Sequence, residues 1–214
     1  MRRVEQICAA ALVACGLTCG VNDARATPAA PSPAAPAPAI APDRALAREI
    51  ITRLGQVPER TRPFHETREI AALTRPLVTS GVLIFHRPAY LRQSTLVPHH
   101  EEMILDGNAA SIQRGTDSAH VVALDQSPAL AMLATTLRAP LEGDIAALDR
   151  YYTLSATGDD RTWMLVMTPA HPDATRFVRT VSLWGRNNVI DRLRVVLANG
   201  DVQTLTIDSC SGDP

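Results

Sequence analysis

The strongest constraint on this chain is the regular way turn residues cut its apolar segments short. From Phe64 onward, runs of Val, Leu, Ile, Met and Thr are punctuated at Pro76, Gly81, Pro88, Pro98, Asp106-Gly107, Arg114-Gly115, Gly158-Asp159, Asn187-Asn188 and Asn199-Gly200. Runs of that length between turn residues are strands, and their even spacing predicts an antiparallel meander. Asp106-Gly107 and Asn199-Gly200 are dipeptides favoured where a tight hairpin turn needs positive φ, so the strands flanking each should pair directly. The punctuation fails between Ser127 and Leu148. There Ser127-Pro128 offers a helix start, Leu130, Leu133, Ala134 and Leu137 recur at helical spacing, and Gly143 separates a second short helix. A further amphipathic helix precedes the strands, with Asp43 as N-cap, Ala45, Leu46, Ile50, Ile51 and Leu54 as its apolar set, and Gly55 and Pro58 as its end. The predicted order is helix, about six strands, a helical pair, then about five strands.

Upstream of Asp43 the composition changes. Thr27 to Pro42 is almost entirely Ala and Pro, which buries too little apolar surface to fold and is expected to form an extended tether. Arg2 and Arg3, an apolar run from Ile7 to Val21 and the triplet Ala24-Arg25-Ala26 have the three parts of an export signal cleaved after Ala26. The run is about 15 residues, short of the roughly 20 a spanning helix needs. A competing site is Leu12-Val13-Ala14-Cys15, which resembles a lipobox, where the Cys15 thiol would be acylated. Its apolar lead-in is only about eight residues, so the soluble periplasmic form is the favoured expectation. Removal of residues 1–26 takes Cys8, Cys15 and Cys19 away and leaves Cys210 alone, which rules out an internal disulfide. The expected organisation is a signal peptide (1–26), a linker (27–42) and one domain (43–209).

Charge excludes some partners. The 214 residues carry a formal net charge of -1, with 46% hydrophobic residues to build a core. Such a balance gives no field to draw the chain to nucleic acid. All 21 basic side chains are Arg, which favours forked pairing over point charges. His99-His100-Glu101-Glu102 invites a metal reading, but neighbours on a strand point to opposite faces and no His-Glu-x-x-His pattern is present. No nucleophile elbow and no phosphate-binding Gly loop occur, so neither an enzyme nor a cofactor is expected.

Two segments sharpen the fold into a family. Gly81-Val82-Leu83-Ile84-Phe85-His86-Arg87-Pro88 is a Gly-led strand closing in Arg-Pro, and Pro98-His99-His100-Glu101-Glu102-Met103-Ile104-Leu105-Asp106-Gly107 is a Pro-x-x-Glu strand closing in Asp-Gly. Together they resemble the outer-membrane lipoprotein carrier family of LolA. Phe64-His65-Glu66-Thr67-Arg68, Leu137-Arg138-Ala139-Pro140-Leu141-Glu142-Gly143-Asp144 and Trp163 within Arg161-Thr162-Trp163-Met164-Leu165 are similar to a LolA-related subfamily. The resemblance covers most of residues 60–207. It implies an α+β fold: a curved antiparallel, unclosed half β-barrel of about eleven strands, with an N-terminal helix and a helical lid insertion. It also implies a carrier that holds lipid-modified cargo in an apolar groove, taking it from an inner-membrane transporter to an outer-membrane acceptor. The same half-barrel occurs in the acceptor, so an outer-membrane lipoprotein anchored through Cys15 is the alternative.

Strand alternation places Leu83, Phe85 and Arg87 on one face. The groove is therefore expected to be lined by Phe64, Leu83, Phe85 and Leu91 on the sheet side and by Leu130, Met132, Leu133 and Leu137 on the lid, in a monomer. The helical stripe also reads as ordinary core, and Met103 and Met132 as adaptable lining. By resemblance, Arg87 is the Arg inside the cavity that bonds the lid and switches it; the plain alternative is a surface Arg at a strand end. A guanidinium inside an apolar cavity needs a partner: helix-end carbonyls are one candidate, and Glu66 is another if the strands of Phe64 and Phe85 form a hairpin. Gln93 and Thr95 fall where large apolar lining is expected, which predicts a shallower or more polar groove and leaves cargo other than ordinary lipoproteins open. Trp163 reads as core with an indole N–H that needs an acceptor.

Overall fold

The computed structural model describes residues 43–208. The signal, the Cys15 site, the linker and Cys210 lie outside them. Helix α1 (Arg44–Leu54) opens the domain. Asp43 caps it, its carboxylate accepting from the backbone N–H groups of Ala45 at 2.7 Å and Leu46 at 3.2 Å. Asp43 also exchanges two backbone hydrogen bonds with Ala156, both 2.8 Å, which fixes the helix start against the sheet. Ala47, Ile50, Ile51 and Leu54 form its buried face. The inward face thus uses Ala47, while Ala45 is exposed. Each large apolar side chain buried here contributes about 1.5–3 kcal/mol.

Six strands follow: β1 (Glu59–Glu69), β2 (Leu77–His86), β3 (Tyr90–Val97), β4 (Glu101–Asp106), β5 (Ala109–Arg114) and β6 (His120–Ala123). A 3-10 turn at Leu124–Gln126 leads to α2 (Pro128–Glu142) and α3 (Ile145–Asp149). The second run is β7 (Tyr152–Gly158), β8 (Trp163–Pro169), a short α4 (Pro172–Thr175), β9 (Val178–Arg186), β10 (Val189–Leu197) and β11 (Val202–Ile207). The eleven strands form one sheet in the order β6-β5-β4-β3-β2-β1-β11-β10-β9-β8-β7, every pairing antiparallel. The two meanders join through β1 and β11, and β6 and β7 are left as separate edges. The expected six-plus-five order and the unclosed sheet are what is found. Gly107 (φ 51°) and Gly200 (φ 94°) take the left-handed conformation at their hairpin turns.

Helix α2 divides the interior into two cores. Met132 and Ala139 join α1, Leu148 and the inner residues of β7 to β10, whereas Leu130 and Ala134 pack with Phe85, Leu91, Leu105 and Ala110 of the other half. Trp163 belongs to the first core, and its indole N–H donates to the Asn187 carbonyl at 3.0 Å.

Candidate functional site: a lidded groove

Strand register decides which side chains face α2. Across β1, β2, β3 and β4, Arg62 opposes Leu83, Leu83 opposes Gln93 and Gln93 opposes Met103. Residues directly opposite on paired strands share a face, so these four lie on the concave side. The same holds for Arg60, Phe85, Leu91 and Leu105, and for Leu205 and Leu193 on the far half. Two cavities occupy the space under α2, of about 130 Å³ and about 90 Å³. Gln93, Thr136, Leu137, Leu193 and Leu205 line both, which makes them one continuous groove.

The expected lining is mostly in place. Leu83, Phe85 and Leu91 line the smaller cavity, Leu130 and Leu133 the larger, and Leu137 both. Met103 lines the larger one as well. Gln93 and Thr95 do face the groove and make it more polar there. Two placements are corrected. Met132 is fully buried in the first core, because on a 3.6-residue period it points away from Leu130, Leu133 and Leu137. Phe64 is buried on the concave face opposite Gly81 but lines neither cavity.

The charged residues depart further from expectation. Arg87 is not inside the cavity: β2 ends at His86, and Arg87 stands exposed in the turn that follows. Glu66 is fully buried, and its partner is Arg68 rather than Arg87. Arg68 donates from Nε at 2.9 Å and Nη2 at 3.1 Å, Thr79 from its hydroxyl at 3.1 Å, and Gln203 from its amide. Alternation alone puts Glu66 and Arg68 on one face, which is the signal that could have found the pair.

Two side chains of α2 tie the helix to the sheet and its turns. Nη1 of Arg138, in the last turns of α2, donates to the carbonyls of Ala89 at 2.9 Å and Gly107 at 2.8 Å, one in each of two neighbouring hairpin turns. Its Nε lies 3.3 Å from Glu142 Oε1, one helical turn on. Burial holds the Glu142 carboxyl above the ordinary carboxylate range, with Asp144 adding to the rise and Arg138 and Arg87 opposing it. On the other flank, Thr136 and Tyr152 share a 2.6 Å hydroxyl bond that fixes α2 to β7, and burial raises the Tyr152 phenol. At the base of the lid the caps of α1 and α2 touch, where Gly55 and Gly143 meet with no room for a Cβ on Gly55.

Comparison with protein families matches residues 35–213 to the family described as outer membrane lipoprotein carrier protein LolA-like. The chain belongs to that LolA-like family. Among solved structures, a LolA superfamily protein from Nitrosomonas europaea is similar at 11% identity and a TM-score of 0.40, over 77% of this chain and 92% of that one. The Pseudomonas aeruginosa MucA/MucB complex matches at 14% identity and a TM-score of 0.40, over 75% of this chain and 55% of that one. A DUF1329 family protein from Desulfovibrio piger matches at 9% identity and a TM-score of 0.31, over 78% and 93%. Likenesses this distant add nothing to the family match. No curated protein matches the chain. For a LolA-like chain, then, the groove under α2 is the candidate cargo site, and it is Arg138 of α2, not Arg87, that bonds the two hairpin turns.

Proposed function

We propose that this chain is a periplasmic carrier that shields the acyl part of lipid-modified protein or lipid-linked cargo between the inner and outer membranes. It binds and does not catalyse. The observation that carries the reading is the continuous, largely apolar groove between an unclosed sheet and a helical lid. Each methylene exposed to water costs about 0.8 kcal/mol, so an acyl chain of ordinary length needs on the order of 10 kcal/mol of cover to cross an aqueous space. A groove complete within one chain supplies that cover without a second copy.

Helix α2 lies over the groove and is bonded to the sheet through Arg138. A cavity of about 150 Å³ holds a group no larger than benzene, so entry of an acyl chain requires α2 to swing outward. Arg138, bonded to two turn carbonyls, sets how readily that happens. An inner-membrane transporter that loads the groove and an outer-membrane acceptor that empties it are the partners this cycle requires. The Leu12-Val13-Ala14-Cys15 motif supports a second reading, in which the protein is itself an acceptor anchored by an acylated Cys15.

The test is mass spectrometry of lipid extracted from protein purified out of its native cell envelope, together with its mature N-terminus. Acylated species bound to a chain beginning near Thr27 support the carrier. An acylated Cys15 selects the acceptor, and a lipid-free chain that also fails to bind any acyl probe sinks both.

A further inference from the structure

We propose that β6, the open edge of the sheet, takes up the extended polypeptide segment of an acylated protein as an added strand while the acyl chain of the same molecule lies in the groove; the inference rests on the carrier reading and names its cargo. In the β5–β6 hairpin the Leu124 N–H donates to the Asn108 carbonyl at 2.8 Å, and Ala123 opposes Ala109. In an antiparallel ladder, residues alternate between bonding their partner and turning both backbone polar groups away from it. His120 and Val122 therefore spend theirs on β5, and Val121 and Ala123 turn theirs to the outer side. No described strand lies there, since β6 ends the sheet, and no other described residue bonds these groups. Two N–H donors and two carbonyl acceptors are thus aimed outward along one edge.

The opposite edge shows what such groups take as a partner. On β7, Ala156 exchanges its outward backbone bonds with Asp43, so an extended residue of the chain itself covers that edge, and α1 packs behind it. Folded proteins commonly blunt an uncovered edge with Lys, Pro or a bulge. β6 has none of these: its sequence is His-Val-Val-Ala, its register with β5 runs without a shift, and Val121 is 62% exposed. The strand is four residues long, which limits an added strand to the two positions named. Two positions are few for a free peptide. They suffice for one whose attached acyl chain already holds it at the site, because the second contact is then made within one molecule.

Position ties this edge to the groove. The larger cavity is lined by Ala110 and Ile112 of β5 and by Leu124, and Val122 packs against the same core. Neighbouring strands lie about 4.8 Å apart, so a strand added beyond β6 runs about 10 Å from that wall, a distance that about three extended residues cover. Asp117 and Asp125 stand exposed before and after β6, and neither forms an ion pair with a described residue. The segment that fits is accordingly short, extended and free of acidic residues, with Lys or Arg at its ends.

The experiment uses the mature full chain carrying a bound environment-sensitive acyl probe. Three competitors displace it: a palmitoylated cysteine amide, the same acylated cysteine followed by a short peptide of Val, Thr and Lys, and that lipopeptide with its backbone amides N-methylated. Wild type should take the lipopeptide about tenfold more tightly than either rival, as expected for a few backbone hydrogen bonds. Amide exchange at Val121 and Ala123, followed by NMR, should slow with the lipopeptide and not with the peptide-free lipid. Ala123→Pro removes an outward N–H without touching the β5 ladder, puts its ring where the incoming strand would lie, and suits the φ of -77° already present. It should abolish most of the preference and leave affinity for the peptide-free lipid unchanged; the exchange measurement in wild type decides if that variant does not fold. A lipopeptide no better than either rival, unslowed exchange at Val121 and Ala123, or a preference that survives Ala123→Pro overturns strand addition and leaves the carrier standing. Failure of every competitor to displace the probe, or of the probe to bind, overturns the carrier reading itself.

Discussion

Arg138 and Arg87 sit at the same end of the groove and both act on the Glu142 charge, but they differ in burial and in hydrogen bonding. Arg138 lies largely buried on α2 and bonds two turn carbonyls, whereas Arg87 is exposed in one of those turns. A hydrogen bond to a charged group contributes about 1.5–3 kcal/mol. Arg138→Met should therefore raise the open-to-closed ratio about ten- to a hundredfold. Amide exchange in α2 should quicken accordingly, acyl-probe affinity should hold or rise, and the melting temperature should fall by only about several degrees. Arg87→Leu should change stability by less than about 0.5 kcal/mol and leave exchange in α2 as it was; the reverse pattern for the two variants would restore Arg87 as the switch. Glu142 gives a pH signature. Its folded carboxyl binds a proton more readily than the unfolded one, so its contribution to stability is fully present below the unfolded value and is lost as pH rises through the folded value. Glu142→Gln should thus be at least as stable as wild type at neutral pH, with the two melting curves converging as the medium is acidified. A difference that does not vary with pH would show that the Glu142 charge is not penalised by burial. The expected placement of Arg87 inside the cavity is not found for a local reason: an Arg directly before Pro-Ala ends its strand, so alternation no longer governs where its side chain points.

At the level of elements, the sequence was most legible where a single period or cap decides the outcome. Ser127 accepts from the Leu130 N–H at 3.4 Å, Pro128 begins α2, and Gly143 ends it at φ 76°. These are the start and stop signals read from residues alone. Less legible was which face of α2 meets the groove, since Leu130, Leu133 and Leu137 form one apolar stripe and Met132 and Ala139 another, with Thr136 reaching both cavities while bonded to Tyr152. Both are apolar enough to bury, and only the sheet around them settles which one stays in contact with open space. The contact between Gly55 and Gly143 joins elements far apart in sequence, and no local pattern announces it. A Cβ at Gly55 would come within 2.6 Å of the Gly143 Cα. Gly55→Ala should therefore push the caps of α1 and α2 apart and cost about 1–3 kcal/mol, read by chemical denaturation. A neutral Gly55→Ala would mean that the lid base is not packed as described.

For the whole molecule, six strands, a helical pair and five strands were readable from turn spacing, but their joining through β1 and β11 was not. That pairing joins segments about 140 residues apart in the chain, and turn chemistry specifies only neighbours. It also explains why the groove's far wall was missed: Leu193, Val195 and Leu205 reach α2 only because β1 and β11 pair. The consequence of the complete sheet is an interior left partly unfilled beneath a helix, in a family of lipoprotein carriers. The most direct test of that interior is photo-cross-linking with an acyl chain bearing a diazirine near its methyl end, followed by mapping of the labelled residues. The account predicts labels on Leu83, Phe85, Leu91, Leu137 and Leu193, suppressed by unlabelled acyl competitor. Labels confined to the outer face of the sheet, or insensitive to competitor, would contradict it.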